Sequence, residues 1–114
     1  MENADRIRIA QILAHCEDIS AFLDRCGRDP EAFVRDRMFF NAVSMSVLQI
    51  GELANGLSEE YRAATARQMP WNMIRGMRNA LAHTYGQIDE DVMWNTVIND
   101  VPKVRAFCEK ELGK

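Results

Sequence analysis

Histidine, cysteine and long apolar runs are all scarce in this chain, and each shortage removes a class of function. Only two histidines occur among 114 residues, His15 and His83, so a multi-histidine metal site is not available. The three cysteines, Cys16, Cys26 and Cys108, are odd in number and follow no zinc or disulfide spacing. With no secretory signal either, this predicts reduced thiols and a cytoplasmic protein. The uncharged stretch Phe39 to Gly51 falls short of the roughly 20 apolar residues a spanning helix needs, so no membrane role is expected. No segment alternates polar and apolar at period two, and the one Asn-Gly pair, Asn55-Gly56, lies between helical patterns, so no strands are expected.

What remains is an ordinary globular balance, 47% hydrophobic and 27% charged, in a length that suits one domain over 1–114. The core is thin at this size, and a second subunit would thicken it. Apolar residues repeat at helical spacing almost throughout. Ile9, Ile12, Cys16, Ile19, Leu23 and Cys26 form one stripe on a first helix that Gly27 ends. Asp29-Pro30-Glu31 is a start signal for a long second helix running to about Asn55-Gly56. That helix carries two apolar stripes: Phe33, Phe40, Val43, Val47, Ile50 and Ala54, then Val34, Met38, Met45 and Leu48. So wide an apolar surface implies burial on two sides, the second against another subunit. Gly51 inside it weakens the helix by about 0.5–1 kcal/mol relative to Ala, which a closely packed neighbour would explain. Ser58-Glu59-Glu60 starts a third helix that Met69-Pro70 closes, and Trp71 to about His83 reads as a fourth. Asp89 caps a fifth, with Val92, Met93, Val97, Val101, Val104 and Phe107 on its apolar face and a kink expected at Pro102. The fold class is an all-α bundle of about five helices. The seven methionines and the two tryptophans are expected to fill the core, the cysteines to be inert, and His15 to lie at the surface.

Charge is short of one sign in one place. No Asp or Glu occurs from Tyr61 to Ile88, while Arg62, Arg67, Arg75 and Arg78 give that segment +4 and leave the remainder at −7. A net charge of −3 argues against coating duplex nucleic acid, but a positive segment on an acidic body suits a focused anion site. The same arginines would also serve to cap helix ends or pair with acids.

Within that segment, Arg78-Asn79-Ala80-Leu81-Ala82-His83-Thr84-Tyr85 gathers four hydrogen-bonding side-chain types. At about 100° per residue from Arg78, Asn79 falls near 100°, His83 near 140° and Tyr85 near −20°, one half of a helix if it persists that far. Arg offers a permanent planar fork for phosphate oxygens, and His exchanges protons near neutral pH. Together they suffice to cleave RNA without metal or cofactor. A base takes the 2′-hydroxyl proton, that oxygen attacks phosphorus, and the cation stabilises the charge developing on the phosphoryl oxygens. One histidine cannot be acid and base at once, so a two-fold homodimer would supply the second. Glu52 is placed to orient Arg78 or Arg75. A lone Arg and His on an amphipathic helix serve structure equally well, His at a helix C-terminus complementing the dipole.

Arg78-x4-His83-x-Tyr85 resembles the signature of the HEPN superfamily of small helical proteins, and more closely its HepT-like branch. The Ile50-Gly51-Glu52 turn, Pro70-Trp71, Gly76-Met77-Arg78-Asn79, and then Asp89 and Trp94 downstream carry the resemblance over nearly the whole chain. It implies an antiparallel HEPN-type bundle, a homodimer, and the toxin of a prokaryotic toxin–antitoxin pair acting as a metal-independent ribonuclease. It also implies a minimal nucleotidyltransferase antitoxin that transfers AMP to the toxin. Carried over, Arg78 and His83 are the catalytic pair, Asn79 the supporting polar residue and Tyr85 the AMP acceptor. The alternative is a non-catalytic HEPN module that docks a nucleotidyltransferase or binds a nucleotide.

Overall fold

A computed structural model describes residues 1–83 and 88–114, with the side chains of 77 and 79–83 left aside. The described residues form helices and turns with no strand. In chain order they are α1 (Asn3–Arg25), α2 (Pro30–Arg35), α3 (Arg37–Asn55), α4 (Glu59–Thr65), α5 (Trp71–His83), α6 (Glu90–Asn95), a π turn (Thr96–Asp100) and α7 (Val101–Glu111). The bundle expected from the sequence is therefore present, with two of its five helices broken into shorter pieces.

The first break is at Asp36. Its backbone leaves the helical region (ψ 100°), and its carboxylate accepts from the amides of Met38 and Phe39 at 3.0 and 3.3 Å. A side chain that satisfies the first orphan donors of a helix starts a new one, so α2 and α3 are separate where apolar periodicity had read straight through. The second break lies just before Pro102. A proline ring clashes with the carbonyl four residues earlier, here Ile98. The chain widens into the π turn Thr96–Asp100 just before it.

The end of α1 depends on a left-handed turn. Gly27 stands at φ +67°, which costs a glycine nothing, and Arg28 follows at +54°. Arg28 is held there by bonds from its guanidinium to Asp24 (2.8 Å) and Ser20 (3.1 Å).

α3 occupies the middle, packed by α1, α2 and α5, while α7 closes on α1. The first stripe of the expected second helix is buried, as are Ile9, Ile12, Cys16, Ile19 and Leu23 of α1. Trp71 packs edge-on to Phe107 (centroids 5.4 Å apart) and donates to Thr65 Oγ1 at 2.7 Å, while Trp94 lies against Phe33 (5.3 Å), so both are packing residues. Burial pushes the thiols of Cys16 and Cys108 up to about 12, which keeps both protonated and unreactive at neutral pH. Two expectations are corrected. Met69 and Met93 fill the core, but Met38, Met45 and Met73 are exposed, because α3 and α5 turn those positions outward. His15 is half-buried, with Nδ1 enclosed and without a protein partner.

The start of α1 is tied to the start of α4 through a buried carboxylate. Asp5 accepts from the Ser58 amide (2.9 Å) and hydroxyl (2.6 Å). Burial alone would raise its pKa, but the two bonds from Ser58 and the charge of Arg8 outweigh it and hold the carboxyl below its ordinary value. Because the folded value is the lower one, this tie stabilises fully above the ordinary carboxylate range and is lost as pH falls through it. Thermal melts of Asp5→Asn are expected to show lower stability than the parent at neutral pH, with the difference narrowing on acidification.

Candidate active site at the crossing of α3 and α5

The site is built on the close approach of two helices. A Cβ added at Gly51 would stand 2.5 Å from the Cβ of Arg78 and 3.2 Å from its Cα. The missing side chain lets α5 lie against α3 at the residue that begins the Arg-x4-His motif, so the neighbour that Gly51 implied is Arg78 itself. Pro70 precedes α5, and buried Trp71 anchors its first turn.

The last turn of α3 collects arginines from outside it. Arg78 Nε donates to Glu52 Oε1 in a charge-assisted bond, both side chains remaining partly exposed at 35% and 43%. Arg75 Nε donates to Asn55 Oδ1 at 3.0 Å. Arg62 reaches the carbonyls of Ala54 (3.3 Å), Asn55 (3.2 Å) and Leu57. Helix C-termini present unsatisfied carbonyls and negative potential, which accounts for this convergence. Of the alternatives open for Glu52, the structure selects Arg78. Arg62 takes the capping role, and Asn55, which sequence reasoning passed over, is the partner of Arg75. Its position one turn after Glu52 was the available signal.

α5 stays helical through His83, so Arg78 and His83 share one helix with the spacing the wheel required. The side chains of Asn79 and His83, and all of Tyr85, lie outside the described residues. Among the described residues no cluster of His, Cys, Asp and Glu is suited to a metal ion, and no helix is long and apolar enough to cross a membrane.

The crossing can be probed directly. Gly51→Ala forces Cβ against Cβ, both on helices, so α5 must move outward. We expect a loss of about 1–3 kcal/mol from overpacking, read as a lower denaturant midpoint. A midpoint equal to the parent's would show that α5 gives way at this crossing without cost.

The model of the family "Ribonuclease HepT-like" matches residues 12–111. Among curated proteins, "Putative RNase TTE0752" of Caldanaerobacter subterraneus is 30% identical over 93% of this chain and 92% of its own length. "Putative RNase MJ1380" of Methanocaldococcus jannaschii is 32% identical over 71% of this chain and 73% of its own. "Probable ribonuclease HepT" of Thermococcus cleftensis is 30% identical over 70% and 72%. No solved structure matches the chain. A helical bundle crossing at Gly51 and Arg78, a family model spanning most of the sequence and relatives matched along most of their lengths all point one way: this chain belongs to the HepT-like ribonucleases.

Proposed function

We propose that this protein is the toxin of a toxin–antitoxin pair, a metal-independent endoribonuclease of the cytoplasm that acts as a two-fold homodimer. One observation carries the reading: a partly exposed guanidinium fixed by Glu52 at a helix crossing, five residues before His83 on the same helix. Membership of a ribonuclease family supports it.

In this mechanism His83 takes the proton from the ribose 2′-hydroxyl. The O2′–P bond forms as the P–O5′ bond breaks, and the departing 5′-oxygen takes a proton from the imidazolium of the second protomer's His83. The products are a 2′,3′-cyclic phosphate and a 5′-hydroxyl. Arg78 stabilises the extra charge on the phosphoryl oxygens, with Asn79 beside it, and Glu52 sets the plane of its guanidinium. The second stripe of α3 supports the dimer: Met38 and Met45 stand exposed and Leu48 half-exposed on the face that ends at Glu52. Covering that face with a second copy would bring two sites together. The antitoxin is a minimal nucleotidyltransferase that places AMP on Tyr85, adding a phosphate that competes for Arg78.

Expression of the protein is the direct test. It should arrest growth, and His83→Ala should relieve the arrest. The purified dimer should cleave RNA in excess chelator and leave cyclic phosphate ends, with activity per protomer falling on dilution. Tyr85→Phe should remain toxic beside the cognate nucleotidyltransferase. Arrest that persists in His83→Ala would instead identify a binding module.

A further inference from the structure

A cavity of about 270 Å³ opens between α3, α5 and α7. Ile50 on α3 and Ile74 on α5 line it, with Val104 of α7 beneath. Ile50 precedes Gly51, the residue against which Arg78 packs, and Ile74 lies one helical turn before Arg78 on the same face of α5. The cavity lining and Arg78 are therefore about one helical turn apart along α5.

Its chemistry is divided. The floor is aliphatic and buried, whereas the rim carries the amide of Gln68, the carboxylate of Asp100, the ammonium of Lys103 and the thioether of exposed Met73. Asp100 and Lys103 are three apart in the chain, a spacing that ordinarily allows pairing. They form no ion pair among the described residues. Asp100 ends the π turn, Lys103 belongs to the α-helix that follows, and both line the opening. A purely aliphatic ligand would leave these rim charges desolvated without a partner, and a charged one would not suit the floor. The fit is a flat ring with polar groups along its edge. Bases of single-stranded RNA are recognised in that way, through apolar contact on the ring face and hydrogen bonds at the edge. Thioethers make favourable contacts with aromatic rings.

We propose that this cavity is a nucleobase subsite, taking the base of a nucleotide that flanks the phosphate held by Arg78. The inference rests on the ribonuclease reading and sharpens it, because it assigns a base preference to the enzyme. Asp100 accepts from an exocyclic amino group, which adenine, guanine and cytosine carry and uracil lacks. Lys103 and Gln68 donate to ring nitrogens or carbonyl oxygens, and Met73 covers the ring.

The test uses the full-length dimer with His83→Ala, so that RNA is bound and not cut. The probes are five-nucleotide RNAs, labelled for anisotropy, that differ only in the base at one position, each position being varied in turn. At one position uracil should bind about tenfold more weakly than the amino-bearing bases, the scale of one hydrogen bond to a charged group. Asp100→Asn should erase that discrimination, and Met73→Trp, at the mouth, should weaken every base-bearing strand while leaving an abasic strand of equal length unaffected. Binding that requires Arg78 but ignores base identity, or discrimination that survives Asp100→Asn and Lys103→Met together, overturns the subsite and leaves the ribonuclease reading intact. No RNA binding by a folded dimer overturns both. Free AMP that binds in an Asp100-dependent manner and is not displaced by RNA would make the cavity a separate nucleotide site, also against the proposal.

Discussion

Arg78→Ala is expected to slow RNA cleavage by about 10²–10³-fold, the usual consequence of removing a donor aimed at developing oxyanion charge. Arg78→Lys should recover only part of this. It restores the charge but not the planar fork of donors, one of which, Nε, engages Glu52. On the proposed mechanism His83→Ala removes the proton carrier and should cost about 10²–10⁴-fold. Glu52→Gln separates positioning from chemistry. The amide can still accept from Arg78 Nε but lacks the charge that holds it, so kcat should fall by less than in Arg78→Ala while the midpoint of unfolding changes little, the pair being exposed. Single-turnover cleavage of one defined RNA by all four variants, at matched dimer concentration, checks the series. Equal rates in Arg78→Ala and the parent would remove this guanidinium from the mechanism.

Phe33→Ala should produce the largest loss of stability, about 3–5 kcal/mol. That is a large share of the roughly 5–15 kcal/mol by which a domain of this kind is stable. Phe33 is fully buried and packs its ring against Phe40 at 5.4 Å and Trp94 at 5.3 Å. It belongs to α2, which has six residues, and Trp94 belongs to α6, which also has six. Helices so short do not persist in water alone, so both depend on this cluster for their place. Removing the ring leaves a cavity that neither can collapse to fill. The crossing with α5 at Gly51 lies toward the other end of α3, about 16 Å along the helix axis from Phe40, against which Phe33 packs, at a rise of about 1.5 Å per residue. Cleavage measured well below the melting temperature should therefore stay close to the parent value, while the melting temperature drops sharply. Phe33→Leu, which keeps most of the volume, should lose much less.

How much of this was readable in the chain depends on the range of the interaction concerned. Helix starts at Asp29, Ser58 and Asp89 were legible because a capping side chain bonds to amides two or three residues away. Asp36 is a cap of the same kind, yet it was hidden in an unbroken apolar rhythm, and only the departure of its backbone from helical angles reveals it. The disturbance at Pro102 was legible because ring and carbonyl clash within one turn, although its form, a π turn ahead of the proline, was not. Gly51 announced a close neighbour without saying which. Glu52 offered two partners, and the choice of Arg78 over Arg75 rests on how α5 crosses α3, a matter of packing between segments far apart in sequence.

Local chemistry written in order along the chain thus accounts for the helices, their caps, the apolar faces and the acid-free segment holding Arg78 and His83. It does so because each depends on residues within one or two turns of one another. The pairing of Glu52 with Arg78, the cavity between α3, α5 and α7 and the outward turn of Met38 and Met45 arise only when these helices are packed. Crossing angles and close approaches are set by the shapes of many side chains together, and no neighbour in the chain encodes them.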